Sequence, residues 1–373
     1  NTKWLIIKGF MNKIQYLRLL VSIIKGKKLK LTKFLIKILI EKCTMPADLA
    51  LYYIFLFSYA PFFKPGHKKI FIGYYYGNPS NDKKVLSADW YFFSSRLDRT
   101  KFDFFYLQDK FNFFPTSKTI LKILYNKSNE IYFSSYAYDK INHLSPIQIK
   151  FLKKKLKINT NFVWYDTASK KFFNPALFNL FEEAKNNIII DNPNFIRHFR
   201  YKENNVQIGR ASYNYKKIKS IFNLNFKKTI DVSFIGSVSA YRQKRSRSLQ
   251  FLEEQNIPIT ISTADRSKFI PDKDYWKLLA SSKITINFSK SMDYHQCKAR
   301  VFEAIYSECL LLESFNNQIC HFFKPGIHFV FFKNDLDLRN KILFFLKNEK
   351  IRKKITSEAK KYLLAKYSSS LIL

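Results

Sequence analysis

The chain has 373 residues, a length that predicts two domains. Hydrophobic residues make up 47% of it, including 39 Phe and 23 Tyr, and this composition excludes a disordered protein. Its four cysteines have neither zinc-ligand spacing nor the density of a disulfide framework, and they fit a reducing compartment. The net charge of +37 indicates either an anionic partner or a compositional bias toward lysine.

The chain opens with a basic arm, residues 1–66, in whose first 45 residues Glu41 is the only acid. Between residues 29 and 43 the lysines recur at helical spacing opposite an apolar face. This pattern predicts a helix that lies on an anionic membrane surface or, alternatively, one that packs on its own protein with a solvated lysine face. The uncharged run 49–63 is too short to span a bilayer, which favours a buried or interfacial helix.

The next segment, 67–209, alternates short apolar runs with polar loops and predicts a Rossmann-like domain with a parallel sheet. Helices are predicted at Ser117–Tyr125 and Pro175–Ala184. The predicted strands are 69–77, 102–108, 130–136, 161–166 and 187–192.

A lysine-rich segment without strong periodicity, 210–230, predicts a linker to a second unit, 231–350, which is followed by a helix within 351–373. The second unit alternates strands and helices in the order expected of another Rossmann-like domain. Strands are predicted at 231–236, 257–263, 283–289 and 309–314, and helices at 241–254, 274–280, 298–306, 336–346 and 351–367.

Two such units define a cleft beyond the carboxyl ends of their strands, where ligands of parallel sheets bind. The strand 231–236 ends at Gly236 and Ser237, and Arg242 follows at a helix start. Small residues, backbone N–H groups and a cation in this order suit a diphosphate, whereas a solvated basic helix is the alternative.

The segment CKARVFEAIYSECLLLES, 297–314, places Lys298 and Arg300 at the start of a helix, where the helix dipole disfavours cations. An anionic ligand would explain both cations. Glu303, one turn later, could accept hydrogen bonds from the two ribose hydroxyls of a nucleotide. An ion pair between Arg300 and Glu303 on the surface is the alternative.

The segments KARVFEAIYSECLLLES and FFKPGIHFVFFKNDLDLRNKI together resemble the carboxyl-terminal half of GT-B glycosyltransferases, in particular the CgeB-type group. The resemblance covers about 231–366. It implies two Rossmann-like domains that face a cleft, with a nucleotide-sugar donor bound by the second domain. It also implies that Glu303 binds ribose, that Arg300 and Lys298 lie near the diphosphate, and that Gly236, Ser237 and Arg242 belong to the phosphate loop.

The chain departs from the family pattern at one position. Many retaining GT-B enzymes carry two glutamates separated by seven residues, but here His295 stands eight positions before Glu303. The stereochemical outcome is therefore left open. His295 is a candidate for contact with the donor. An inverting reaction requires a base, for which Asp166 and His143 are the candidates in the first domain.

No metal and no cofactor are expected, since the triplets Asp272-Lys273-Asp274 and Asp335-Leu336-Asp337 both precede helices and are better explained by helix capping.

The predicted function is transfer of a sugar to a cell-surface glycan or a lipid-linked acceptor, from the cytoplasm and at the inner face of the membrane. One alternative is a fucosyltransferase-like GT-B enzyme, suggested by Asp293-Tyr294 and Lys298. The other is a basic nucleic-acid-binding protein, which the charge favours. No nucleic acid is expected as a partner, because the aromatic residues cluster in apolar runs typical of core strands.

Overall fold

The structure is a computed structural model, and it describes residues 52, 56, 60–67, 69–75, 102–108, 115–136, 144–165, 175–190, 205–210, 215, 218–219, 224–238, 243–262, 270, 272–289 and 295–367. Most of the basic arm lies outside the described residues, as do His143, Asp166 and Arg242. From the uncharged run 49–63, Tyr52 and Leu56 are buried. Within the described part of the chain, no helix is both long and apolar enough to cross a membrane.

The first sheet has six parallel strands in the order β2-β1-β3-β4-β5-β6. Helices lie between β2 and β3, between β3 and β4 and between β4 and β5, as parallel pairing requires a crossover. The elements are β1 Lys69–Tyr75, β2 Phe102–Gln108, α1 Pro115–Asn126, β3 Glu130–Tyr136, α2 Pro146–Leu156, β4 Asn159–Tyr165, α3 Pro175–Glu183, β5 Asn186–Ile189 and β6 Val206–Ile208.

The second sheet has five parallel strands in the order β11-β10-β9-β7-β8. Two parallel-sheet α/β domains are therefore present, and the predicted fold class is confirmed. The elements are β7 Ile230–Ile235, α4 Gln243–Glu254, β8 Ile259–Ser262, α5 Asp272–Ser281, β9 Ser282–Asn287, α6 Ala299–Tyr306, β10 Leu310–Ser314, β11 Val330–Phe332, α7 Asp335–Lys347 and α8 Glu349–Tyr367.

Stacked aromatic rings form the centre of the first sheet's core. The ring of Phe162 stacks on those of Phe133 and Trp164, with centroids 5.1 Å apart in each pair. The indole N–H of Trp164 donates to Oδ1 of Asn187 (2.8 Å), whose amide donates in turn to the carbonyl of Phe181 (2.8 Å). Because all four groups are buried, these bonds satisfy polar atoms that water does not reach.

The strand β10 begins with an uninterrupted apolar run, without the apolar–polar alternation of a half-exposed strand, because both of its faces are buried. Leu310 and Leu312 pack into one core cluster and Leu311 into the other, on the opposite face of the sheet. A central parallel strand is covered by helices on both faces, so it needs apolar side chains at successive positions.

The predicted linker packs against the second domain through its described residues. The hydroxyl of Tyr306 donates to the carbonyl of Tyr215 (2.8 Å), and the two rings stack with centroids 4.3 Å apart. Ile218 is buried in the same cluster. The domain limits proposed from the sequence stay predictions.

The strands and helices predicted from apolar patterns are confirmed, and their ends differ from the predicted ones by at most three residues. Three further elements, α2, β6 and β11, were not predicted. The strands β6 and β11 have three residues each, too few for a period to show. Helix α2 did carry a start signal, since Ser145 and Gln148 form a capping box in front of it.

We expect Asn187→Ala to lower the free energy of unfolding by about 2 kcal/mol, because it leaves the buried Trp164 N–H and the Phe181 carbonyl without their amide partner. Urea denaturation followed by tryptophan fluorescence measures this. Gln207→Ala, on the exposed side of β6, is the matched control and should change stability little. Equal stability of the two variants would contradict the assigned role of Asn187.

Candidate active site

The candidate site lies at the carboxyl edge of the second sheet, where β7, β9 and β10 end side by side. Gly236 follows β7, Phe288 and Ser289 follow β9, and Ser314 ends β10. Since the strands are parallel and adjacent, residues far apart in the chain meet at this edge. It is also the edge at which ligands of parallel α/β sheets bind.

Gly236 allows close approach of a cation to the end of β7. Its φ is +157°, and a β-carbon placed on it would lie 3.2 Å from Nη1 of Arg300 and 3.1 Å from the ring of Phe234. Both distances are tighter than ordinary contacts of a β-carbon. The glycine predicted for the phosphate loop therefore leaves room for the guanidinium predicted to bind phosphate.

Arg245, in the first turn of α4, ties two strand ends together. Its Nη1 donates to the carbonyl of Ser237 (2.7 Å) and its Nη2 to that of Phe288 (2.8 Å). The guanidinium is buried 5.6 Å from the ring centre of Phe234 and 5.7 Å from that of Phe288. Arg242 was predicted from this cationic helix start and Arg245 was not, because helical spacing alone does not show which cation faces the strand ends.

Helix α6 begins at the same edge with cations in its first positions. Lys298 is its N-cap, with an extended backbone and no side-chain cap, and its first turn contains no acid. Nη1 of Arg300 donates to Oδ1 of Asn287 at the end of β9 (3.4 Å). The start of α6 thus presents positive charge together with the backbone N–H groups of a helix start, an arrangement that suits an anion.

Glu303, one turn further along α6, is half-buried and accepts a hydrogen bond from the hydroxyl of Tyr275 in α5. Burial raises the pKa of Tyr275 well above its ordinary value, and the negative charge of Glu303 raises it further. Arg300 lies beside the same hydroxyl and acts in the opposite direction. Tyr275 was not identified from the sequence, because an aromatic residue inside a predicted helix is typical of a core position.

Glu313, near the end of β10, is a buried carboxyl group that was not predicted to be a site residue. Its side chain has no exposed surface, and it accepts from Nδ2 of Asn287 (2.7 Å) and from the backbone N–H of Ser289 (3.1 Å). Burial raises the pKa of Glu313 to about 8, although these hydrogen bonds and the charge of Arg300 oppose the rise. No pattern in CLLLES distinguishes this glutamate from a solvated strand end.

His295 lies in the loop between β9 and α6 and is half-buried. Its ring meets the ring of Phe315 edge-on, with centroids 6.3 Å apart. Phe315 follows β10, is 60% exposed and also contacts Phe331. An exposed aromatic ring therefore lies beside the candidate histidine.

The two aspartate pairs lie at helix starts, as predicted, but the cap of α7 is a different residue. Asn334 is its N-cap and accepts from the backbone N–H of Asp337 (2.9 Å), while Asp337 accepts from Lys333 N–H and from Lys341. Asp272 begins α5. Over the described ranges, no cluster of three or more His, Cys, Asp or Glu side chains could hold a metal ion.

Of the predicted site residues, the structure brings Gly236 and Arg300 together and places Glu303 one turn from Arg300 on the same helix. Asn287, which was not predicted, accepts a hydrogen bond from Arg300. Ser237 joins them through Arg245. The edge therefore combines guanidinium groups, a lysine and helix-start N–H groups with one half-buried carboxylate. This combination can bind an anion that also carries hydroxyl groups.

A family model described as "Glycosyl transferase-like" matches residues 225–371, which contain the second sheet and α4 to α8. No curated protein matches the chain in sequence.

Solved structures extend the likeness to both domains. Anabaena HepE in complex with UDP is 10% identical, with a TM-score of 0.53 over 80% of this chain and 95% of that one. The same protein with UDP and glucose is 10% identical, with a TM-score of 0.52 over 81% and 96%. Sucrose-phosphate synthase from Thermosynechococcus elongatus is 11% identical, with a TM-score of 0.53 over 80% and 95%.

The chain therefore has the two-domain fold of the GT-B glycosyltransferases, and its residues 225–371 match the glycosyl transferase-like family. The fold and the family match together support glycosyltransferase activity. The resemblance noted from KARVFEAIYSECLLLES is thereby confirmed.

Glu313 gives a pH-dependent prediction for stability. Its folded pKa of about 8 lies above its ordinary value of 4.5, so the folded protein holds this proton more tightly than the unfolded chain. The resulting stabilisation is complete below pH 4.5 and is lost as the pH rises toward 8. Glu313→Gln has no proton to lose, and its stability relative to wild type should therefore rise between pH 5 and 9, by on the order of a few kcal/mol.

Thermal melts of both proteins across this pH range measure the effect. Glu308→Gln, at an exposed carboxylate paired with Lys360, is the control and should not reproduce the gain. A difference between Glu313→Gln and wild type that stays constant with pH would contradict a raised pKa.

Proposed function

We propose that the protein transfers a glycosyl group from a nucleotide-sugar donor to a cell-surface glycan or a lipid-linked acceptor. The observation that carries the proposal is the meeting of Gly236, Arg300 and Glu303 at the carboxyl edge of the second sheet. HepE, which shares the fold, is solved with UDP, and this supports a nucleoside diphosphate as the part of the donor that binds here.

In the proposed complex, the diphosphate lies at the start of α6, within reach of Arg300 and Lys298 and close to the Gly236–Ser237 loop. Backbone N–H groups of the first turn of α6 point toward the same place. Glu303 accepts hydrogen bonds from the ribose hydroxyls. These bonds either replace the hydrogen bond from Tyr275 or form in addition to it.

The reaction breaks the bond between the anomeric carbon and the diphosphate oxygen and forms a bond from that carbon to an acceptor hydroxyl, whose proton is released to a base. Negative charge grows on the departing diphosphate. Cations and N–H groups fixed at the strand ends stabilise this charge without having to reorganise, which is the main way such a site lowers the barrier.

His295 is proposed to contact the donor sugar or the reacting groups from the loop before α6. Its position beside the exposed ring of Phe315 supports a site where a sugar ring can lie against an aromatic face. Asp166, which lies outside the described residues, is proposed as the base of the first domain because it follows the β4 segment.

A panel of UDP, GDP, ADP and CDP, with their sugar conjugates, tests the donor class. We expect one nucleotide to raise the melting temperature, because a ligand at 100 times its Kd adds about 2.7 kcal/mol to stability. The affinity should survive moderate salt, since the site combines charge with directional hydrogen bonds. Binding to DNA or RNA that falls steeply with salt, without any nucleotide effect, would instead favour the nucleic-acid alternative.

The role of Glu303 is tested by comparing a nucleoside diphosphate with its 2′-deoxy form. Wild type should bind the ribonucleotide about tenfold more tightly, because a hydrogen bond to a carboxylate contributes roughly 1.5 kcal/mol or more. Glu303→Gln should weaken binding of the ribonucleotide and shrink this preference. Titration calorimetry measures both affinities.

Glu308→Gln, at the carboxyl end of the same helix, is the matched control and should keep the wild-type preference. If Glu303→Gln also kept it, Glu303 would not bind ribose.

A further inference from the structure

The buried carboxyl of Glu313 has no role in the proposed reaction, yet it lies next to the residues that do. Its fully buried position leaves it out of reach of a ligand in the cleft. A buried ionisable group reduces stability unless its hydrogen bonds compensate, and an apolar residue would suit β10 better. Its hydrogen bonds therefore indicate what it does.

The first of these bonds fixes the side-chain amide of Asn287. Glu313 and Asn287 are paired in register on the neighbouring strands β10 and β9. Nδ2 of Asn287 donates to Oε2 of Glu313 (2.7 Å) and also to Oγ of Ser289 (2.7 Å), so both donors of the amide group point away from α6. With Asn287 buried as well, its Oδ1 has one defined direction, toward Nη1 of Arg300.

The second bond fixes the backbone beyond β9. The N–H of Ser289 donates to Oε1 of Glu313 (3.1 Å), and the carbonyl of the preceding residue, Phe288, accepts from Arg245. The loop that leads to His295 therefore starts from a backbone held on two sides. Glu313 controls both the amide that orients Arg300 and the start of this loop.

We propose that Glu313 is a positioning residue that holds Arg300, through the amide of Asn287, in the direction needed to bind the diphosphate. The proposal deepens the proposed function and rests on it. A glutamine of the same shape cannot replace the carboxyl group, because even the protonated carboxyl has an accepting oxygen facing each donor, whereas the NH₂ group of glutamine accepts no hydrogen bond. Its NH₂ group would face either the Ser289 N–H or the Asn287 amide donors, and relief of the second conflict turns an N–H of Asn287 toward Arg300.

A double-mutant cycle tests the proposal with Glu313→Gln, Arg300→Ala and the double variant. The probe is whichever of UDP, GDP, ADP and CDP most stabilises wild type, and its affinity is measured by titration calorimetry. We expect Glu313→Gln to weaken binding about tenfold, as for the loss of one hydrogen bond to a charged group. The double variant should bind no more weakly than Arg300→Ala, because Glu313 acts only through Arg300.

Thr285→Val is the matched control. Thr285 is buried on the same strand as Asn287 and donates to the carbonyl of Ser233, away from Arg300. It should lower the melting temperature but keep the affinity of wild type. If Glu313→Gln does not fold, Asn287→Ala removes the same link to Arg300. Combined with Arg300→Ala, it should weaken binding no further than Arg300→Ala alone.

Three results would overturn the proposal. In the first, Glu313→Gln binds the probe as tightly as wild type. In the second, the losses of affinity from Glu313→Gln and Arg300→Ala multiply in the double variant. In the third, Thr285→Val loses as much affinity as Glu313→Gln. Each would mean that Glu313 acts independently of Arg300 or only through general stability.

Inorganic pyrophosphate, titrated in parallel, separates this proposal from the proposed function. Pyrophosphate binding that weakens in Glu313→Gln, with no nucleoside diphosphate bound by wild type, would support the role of Glu313 and contradict the nucleotide-sugar function. Nucleotide binding that is insensitive to Glu313→Gln would do the reverse. Binding of neither probe to wild type would overturn both.

Discussion

The guanidinium of Arg300 lies against the backbone of Gly236, and the carboxyl edge of the second sheet is built around this contact. A β-carbon at position 236 would meet the guanidinium at 3.2 Å, so any other residue would require the guanidinium to move by a few tenths of an ångström. Asn287 accepts from Arg300 on its other side, and Glu313 holds Asn287 in turn. Four residues from three strands and one helix are thereby fixed relative to each other.

This edge keeps polar and ionisable groups where apolar ones would be more stable. Glu313 is buried among strands, and Arg245 is buried between the rings of Phe234 and Phe288. Departures from the rule that cores are apolar concentrate at functional sites, because orientation of a few groups matters there more than stability. Further from this edge, the same strand β10 follows the ordinary rule, with Leu311 packed among the apolar residues of α6 and α8.

Much of the fold could be predicted from local patterns. Strands such as Phe102–Gln108 and Glu130–Tyr136 were located to the residue, since buried parallel strands are short apolar runs bounded by polar loops. The three-residue strands escaped, as their pairing depends on neighbouring strands and not on their own sequence. Gly236, Arg300 and Glu303 could be selected as site candidates because a glycine after a strand and cations at a helix start are unusual enough to stand out.

The sequence by itself determined the two α/β units, the edge at which a ligand would bind and three of the residues that line it. Only the tertiary structure decided how these residues are held. Tyr275 meets Glu303 from 28 positions away, and Asn287 meets Glu313 from 26. These distances in the chain are closed by the order of β7, β9 and β10 in the sheet and by the packing of α5 beside α6. A pattern read along the chain records which residues are buried, but not which buried residues touch.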